Sequence, residues 1–206
     1  MQIVPTILAQ NKQEFEQKIQ KIKKLGFKFA QIDICDGQFV KNKTFWSLTE
    51  TDDLNYELHL MTKNPEKIIE QVKNNKKIKR IIFHLESTDN PKMIIKKIKN
   101  YGFQAGLAIN PETPVFKIKK YLEYLDLVLI MSVHPGFSSQ KFIPKTLDKI
   151  KELRKLDSKI LIEVDGGINK EIVSKIIKAG ANILAVGSKL EKFNLLKFLK
   201  SVIIKE

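Results

Sequence analysis

The sequence predicts an α/β protein folded as a single (β/α)8 barrel, the TIM-barrel architecture. Strand-like and helix-like segments alternate along all 206 residues, and eight such pairs can be counted. No linker or shift in composition divides the chain, so residues 1–206 are predicted to form one domain. A doubly wound open sheet is the competing fold, but the count of eight and the lack of a Gly-x-Gly-x-x-Gly motif after the first strand disfavour it.

The first half of the chain alternates short strand-like runs with lysine-rich segments that have helical spacing of apolar residues. Gly26 ends the first helix and Pro65 begins a later one, as these residue types commonly do. The stretch after the second strand leaves room for only about two helical turns. The predicted strands are Ile3–Leu8, Phe29–Asp36, Tyr56–Met61 and Lys79–Glu86, and the predicted helices are Lys12–Leu25, Trp46–Leu54, Pro65–Asn74 and Pro91–Tyr101.

The second half repeats this order and adds a polar loop at residues 134–140, which Gly, Pro and Ser mark as irregular. The apolar run 127–133 is typical of a strand covered on both faces. Asn169 is placed to cap a helix. The predicted strands are Gln104–Asn110, Leu127–Val133, Lys159–Gly166 and Ile183–Ser188, and the predicted helices are Pro114–Tyr121, Pro144–Leu156, Asn169–Ala179 and Glu191–Ile204.

Composition favours a cytoplasmic protein with a full hydrophobic core. Hydrophobic residues make up 43% of the chain, yet none of its apolar runs approaches the roughly 18 residues of a membrane span. The amino-terminal run lacks the basic start of a signal peptide. Cys35 is the single cysteine, which excludes an internal disulfide, fits a reducing compartment and is predicted to pack rather than react.

The formal net charge of +14 invites a nucleic-acid partner, but the kind of basic residue argues against one. Only Arg80 and Arg154 are arginines, and arginine is the residue that favours forked contacts to bases and phosphates. The lysines alternate with isoleucines at helical spacing, which indicates solvated helix faces. The positive field would attract an anionic substrate.

Two strands carry a carboxylate on the face that is predicted to point into the barrel. Alternation puts Gln31, Asp33 and Cys35 on that face of one strand, and Asp165 on that face of another. Burying an unpaired carboxylate costs several kcal/mol, so Asp33 and Asp165 are expected to have a functional role or a bonding partner. Asp33 alone could instead cap a turn near the surface, but the repeated pattern, with glycine following, favours an active site.

Barrel active sites lie at the carboxyl ends of the strands, so the side chains at those ends are the candidate site residues. Glycines after the last two strands would let backbone N–H groups approach a phosphate. We therefore expect two opposed carboxylates, one imidazole and a phosphate cup, while the fourth-strand His84 is predicted to be packed and hydrogen-bonded. The strand ends carry Thr6, Asp33, His59, Asn110, the 134–140 loop, Asp165, Gly166, Gly167, Gly187 and Ser188.

Ordered motifs run along the whole chain: Pro5–Leu8, Ile32–Val40, His59–Met61, Asn110–Pro114, Met131–Phe137, Gln140–Ile143, Glu163–Ile168, Ala179–Asn182 and Gly187-Ser188. Together they resemble the ribulose-phosphate 3-epimerases, which are TIM barrels of the ribulose-phosphate-binding type. The resemblance implies that Asp33 and Asp165 are the acid/base pair. It also implies that both, with His59, bind a divalent cation.

The activity implied by the resemblance is interconversion of D-ribulose 5-phosphate and D-xylulose 5-phosphate. Proton transfer at carbon 3 would pass through a metal-stabilised enediolate, with a sugar phosphate as the only implied partner. The resemblance assigns substrate binding to the strand ends Thr6, His59, Gly136, Phe137, Ser138, Ser139, Gly166, Gly167, Gly187 and Ser188.

Five positions depart from the family pattern. Gln31 stands where the family has a metal-binding His, Cys35 replaces a Met, and Thr6 replaces a Ser. Ser138-Ser139 replaces glycines, which limits how closely the backbone wraps a phosphate. An amide oxygen from Gln31 as the fourth metal ligand would weaken Zn²⁺ or Fe²⁺ and permit Mn²⁺ or Mg²⁺.

The sequence leaves three alternatives open. A sister epimerase that acts on a six-carbon ketose phosphate, of the allulose 6-phosphate type, shares these motifs. A degenerate barrel could bind a phosphorylated metabolite without turning it over, for which Gln31 is the main support. A nucleic-acid module would require lysines gathered on one face. Oligomeric state is also open, with a homo-oligomer among the options.

Overall fold

A computed structural model, which describes residues 1–48 and 53–187, shows eight parallel strands closed into a barrel. Neighbouring strands follow chain order, and the last strand pairs back with the first. The predicted (β/α)8 barrel is therefore confirmed. The strands are β1 (Gln2–Ile7), β2 (Phe29–Cys35), β3 (Asn55–Met61), β4 (Ile78–His84), β5 (Gln104–Ile109), β6 (Leu127–Met131), β7 (Leu161–Asp165) and β8 (Ile183–Val186).

Helices cover the outside of the barrel and bury their apolar stripes against the strands. The side chains of Asn11, Asn90 and Asn169 each accept a backbone N–H in the first turn of the helix that follows, so the predicted cap at Asn169 is confirmed. Within the described ranges, none of the helices has both the length and the apolar character needed to cross a membrane. The helices are α1 (Lys12–Lys24), α2 (Pro65–Val72), α3 (Pro91–Asn100), α4 (Thr146–Leu156) and α5 (Lys170–Ala179).

Two predicted helices differ in detail from the structure. The helix predicted at Pro114–Tyr121 is present as a 3₁₀ helix, Val115–Tyr124. Val115 and Ile118 are buried three residues apart, a spacing that aligns both on one stripe of a helix with three residues per turn. In the predicted helix Trp46–Leu54, residues 46–48 have no regular structure. Residues 49–52, Ser188 and the predicted closing helix Glu191–Ile204 lie outside the described residues.

Beneath the mouth, the barrel interior holds a charged layer made of Glu57, Arg80 and Glu163. Strand register places Glu57 level with Gln31 on one side and Arg80 on the other. The Arg80 guanidinium donates to Glu57 at 2.6 Å and lies 3.5 Å from a carboxylate oxygen of Glu163. Both glutamates are fully buried, and burial raises the pKa of each. His59 and Asp165 lie two residues beyond Glu57 and Glu163 on the same strands, towards the mouth of the barrel.

Candidate active site

The two predicted carboxylates meet at the mouth of the barrel. Asp33 at the end of β2 lies beside His59 of β3, because the strand register pairs these two positions. The Nδ1 atom of His59 lies 3.1 Å from Asp33 Oδ1 and 3.6 Å from Asp165 Oδ2. The amide nitrogen of Gln31 donates to Asp33 at 2.7 Å and to Asp165 at 3.0 Å. The four side chains form one connected cluster, which we call the mouth cluster.

Burial sets the protonation of the mouth cluster. Removal from water raises the pKa of Asp33 to about 7, against the opposing effect of the Gln31 hydrogen bond. Burial also raises the pKa of Asp165 to about 7, and the neighbouring charge of Asp33 adds to the rise. Near neutral pH the pair can therefore hold one ionised and one protonated carboxyl group. Burial lowers the pKa of His59 to about 4, so this imidazole is neutral at pH 7.

A chain of polar contacts fixes the ring of His59 from behind. His59 Nε2 lies 2.9 Å from His84 Nε2, and the two rings stack with centroids 5.0 Å apart. His84 Nδ1 lies 3.5 Å from a carboxylate oxygen of Glu86. His84 is fully buried, so the prediction of a packed, hydrogen-bonded histidine is confirmed. With both ring nitrogens engaged, His59 is held with Nδ1 facing the two aspartates.

A single cleft above the mouth cluster gathers most of the predicted site residues. Asp33, His59 and Asp165 lie at its base, and Met61 and Met131 supply apolar wall, which sequence reasoning had not assigned to the site. Ser188 lies outside the described residues. Asn110 is not among the residues of the cleft; its carbonyl accepts a hydrogen bond from Lys149 at 2.6 Å. The other predicted residues that line the cleft are Thr6, Gly136, Phe137, Ser138, Ser139, Gly166, Gly167 and Gly187.

The turn after β7 requires glycine at two positions, because neighbouring atoms leave no room for a side chain and because the backbone has positive φ. Gly166 and Gly167 both have positive φ, at 113° and 64°. A Cβ on Gly167 would lie 2.3 Å from the backbone nitrogen of Phe142, and one on Gly166 would lie 2.3 Å from a methyl of Val133. Side chains are excluded here, which leaves the backbone open toward the cleft.

The loop after β6 is held from two directions. The Gln140 side chain donates to the carbonyls of His134 and Phe137, at 2.6 and 2.8 Å. From the segment after β2, Asn42 donates to the Gly136 carbonyl at 2.6 Å. Ser139 adopts φ 64°, the left-handed conformation that glycine adopts without strain. The substitution of serine for glycine thus falls on the one described non-glycine residue with positive φ.

Three members of the mouth cluster fit a divalent cation. Asp33, His59 and Asp165 each offer one ligand atom, and these atoms all lie within 4.8 Å of one another. A neutral imidazole with two carboxylates is a common donor set for such ions. Gln31 turns its amide nitrogen, rather than its oxygen, toward the other three side chains. This differs from the prediction that the Gln31 oxygen is a metal ligand.

The fold and the paired carboxylates define a (β/α)8-barrel protein with two carboxyl groups and an imidazole at the carboxyl ends of its strands. The chain belongs to the ribulose-phosphate 3-epimerase family, whose sequence profile matches residues 2–190. It is therefore an isomerase of the epimerase kind, as the sequence resemblance predicted.

Similar proteins agree with this assignment. The chain is 39% identical over 199 residues to the ribulose-phosphate 3-epimerase of Bacillus subtilis, with 91% of each chain covered. It is also 39% identical to the enzyme of that name from Buchnera aphidicola subsp. Baizongia pistaciae, over 89% of this chain and 85% of the other. The chloroplastic ribulose-5-phosphate-3-epimerase of Arabidopsis thaliana is 35% identical over 90% of this chain and 70% of its own.

Solved structures repeat the barrel architecture at low sequence identity. A mutant tryptophan synthase alpha-subunit from Pyrococcus furiosus superimposes with a TM-score of 0.72 at 16% identity, covering 97% of this chain and 95% of that chain. A structure titled native KDPGal gives a TM-score of 0.67 at 14% identity, over 98% and 96% of the two chains. Likeness at this level of identity concerns the fold alone.

Proposed function

We propose that the protein interconverts D-ribulose 5-phosphate and D-xylulose 5-phosphate. The observation that carries the proposal is the convergence of a buried carboxylate, Asp33, and a partly buried one, Asp165, on one cleft of an epimerase-family barrel. It is supported by two related proteins, each 39% identical to this chain, that are named ribulose-phosphate 3-epimerase. The direct test is to incubate the protein with ribulose 5-phosphate and follow xylulose 5-phosphate by NMR. Binding of both sugars without interconversion would contradict the proposal.

The mechanism needs one carboxylate to accept a proton and the other to donate one. The ionised member takes the proton from carbon 3, and the electron pair of that C–H bond moves into a planar enediolate. The protonated member then delivers its own proton to carbon 3 from the opposite side, which inverts the centre. A raised pKa of about 7 at both Asp33 and Asp165 provides these two forms near neutral pH.

Asp33, His59 and Asp165 would also hold the divalent cation. Such an ion, when bound, polarises the ketose oxygens and stabilises their negative charge. His84 lies against His59 Nε2, so Nδ1 is the His59 ring nitrogen that faces the cluster. Of the metals Zn²⁺, Fe²⁺, Mn²⁺ and Mg²⁺, we favour Mn²⁺ or Mg²⁺, since one imidazole among oxygen donors suits harder ions.

We place the substrate phosphate at Gly166, Gly167 and Gly187, which line the cleft and whose backbone N–H groups would donate to it. Gly187→Val is expected to weaken binding of ribulose 5-phosphate by at least about tenfold, because the new side chain blocks this approach. Binding of dephosphorylated ribulose should stay unchanged. Calorimetric titration with both sugars measures the difference.

The structure provides a control for this variant. A Cβ on Gly187 would lie 2.7 Å from the Thr6 hydroxyl oxygen, so displacement of Thr6 is a second way to disturb the site. Adding Thr6→Ala to Gly187→Val removes that clash. If the double variant regains wild-type affinity for the phosphorylated sugar, the phosphate does not bind at Gly187.

A further inference from the structure

Gln31 places a single atom in contact with every side chain that could hold an ion at the barrel mouth. Its amide nitrogen lies 2.7 Å from Asp33 Oδ1, 3.0 Å from Asp165 Oδ2 and 3.4 Å from His59 Nδ1. An ion bound to the same three side chains would lie about 2.0–2.2 Å from their ligand atoms. The Gln31 amide nitrogen and a bound ion would occupy the same small space between these three side chains. They therefore exclude each other.

The two carboxylates explain why the nitrogen, rather than the oxygen, of the amide points into the cluster. A primary amide has two N–H donors, one for each carboxylate, whereas its oxygen can only accept. Turning the amide over would bring a third acceptor against two others. In the present orientation, Gln31 Oε1 is buried and has no hydrogen-bond partner among the described residues. The amide thus leaves its oxygen unpaired while its nitrogen joins the carboxylates.

We propose that the Gln31 amide and a divalent cation are alternative occupants of one position, and that the amide is the resident occupant. It holds Asp33, Asp165 and His59 together without an ion, and a metal binds only by displacing it. This inference rests on the proposed function for the roles of the two aspartates, but its test concerns binding rather than turnover.

The first experiment compares metal affinities in chelator-stripped protein. Mn²⁺ and Zn²⁺ are titrated by calorimetry into wild type, Gln31→His and the control Gln71→His, which adds an imidazole at an exposed position of α2. Gln31→His should bind both ions at least about ten times more tightly than wild type, roughly 1.4 kcal/mol. Gln71→His should match wild type. Equal affinity of Gln31→His and wild type, or no binding by either, would overturn the proposal.

A second measurement needs only the wild-type protein, should Gln31→His not fold. In stripped protein, the Gln31 side-chain N–H resonances are expected to exchange slowly with solvent, since both donors are hydrogen-bonded and buried. Saturating Mg²⁺ should shift them and speed their exchange as the amide is displaced. Rapid exchange before metal is added would overturn the proposal. Turnover of ribulose 5-phosphate is assayed separately, so loss of the epimerase assignment would be recognised independently of these results.

Discussion

Replacing Asp33 or Asp165 by Asn is expected to lower the turnover of ribulose 5-phosphate by at least about a hundredfold, as loss of an acid–base group typically does. Asn keeps the shape and an acceptor oxygen for the Gln31 amide, but it can neither take nor deliver the proton at carbon 3. Steady-state kinetics at pH 7 measure the effect. The exposed Asp148 of α4 provides the matched control, because Asp148→Asn changes the same group far from the cleft.

Both active-site variants should remain folded. Burial raises the pKa of each aspartate to about 7, above its unfolded value near 3.9, so ionisation of either group opposes folding as the pH rises from about 4 to about 7. Asn removes that penalty, and the variants should be at least as stable as wild type at pH 8. Near-normal turnover by either variant would remove that residue from the mechanism.

Replacing Arg80 by Met should destabilise the barrel more than any other change considered. Arg80 is the positive member of the charged layer, and its loss leaves Glu57 and Glu163 buried without a cation. Breaking a buried ion pair from one side typically costs about 3–5 kcal/mol, and we expect a loss of that size in the free energy of unfolding at pH 7. Denaturant unfolding, followed by circular dichroism, measures it.

The pH dependence separates charge burial from lost packing. Both glutamates have a raised pKa in the folded protein, so their ionisation opposes folding at neutral pH, and that penalty declines as the pH falls toward their unfolded pKa near 4.3. The destabilisation by Arg80→Met should accordingly be smaller at pH 5 than at pH 7. Lys79→Met changes the adjacent exposed residue and should have little effect. An equal effect of Arg80→Met at both pH values would contradict the account.

Alternation along the strands made much of the candidate site predictable. With a period of two, the sequence decides which side chains of β2, β3 and β7 face the interior, and so it placed Asp33, His59 and Asp165 on that face. Barrel geometry then brings strand ends together whatever their separation in sequence. These two rules account for the predicted cleft, in which residues from β1, β2, β3, β6, β7 and β8 meet.

Contacts between side chains on different strands could not be predicted from the alternation along each strand. Glu57 and Glu163 were predicted to lie on interior faces. The ion pairs that both form with Arg80 depend on barrel closure and strand register. The contact of His59 with His84 likewise depends on side-chain direction within adjacent strands. A helix was predicted near Val115–Tyr124, but its 3₁₀ form was not, because apolar residues three and four apart fit either kind of helix.

Gln31 illustrates the limit most clearly. The sequence placed it beside Asp33 on the interior face, and its oxygen was predicted to complete a metal site. An amide carries a donor and an acceptor at one end, and the choice between them depends on its neighbours. Two carboxylates at 2.7 and 3.0 Å select the donor. One side chain therefore changes how the site can be assembled, while both carboxylates, Asp33 and Asp165, are present.

The fate of the hydrogen at carbon 3 tests the two-carboxylate mechanism most directly. Ribulose 5-phosphate is converted by the wild-type protein in D₂O, and the xylulose 5-phosphate formed is examined by proton NMR. The mechanism predicts deuterium at carbon 3 of the product, because the delivered proton comes from a second carboxyl group that has exchanged with solvent. A product that keeps its original hydrogen at carbon 3 would contradict transfer by two separate groups.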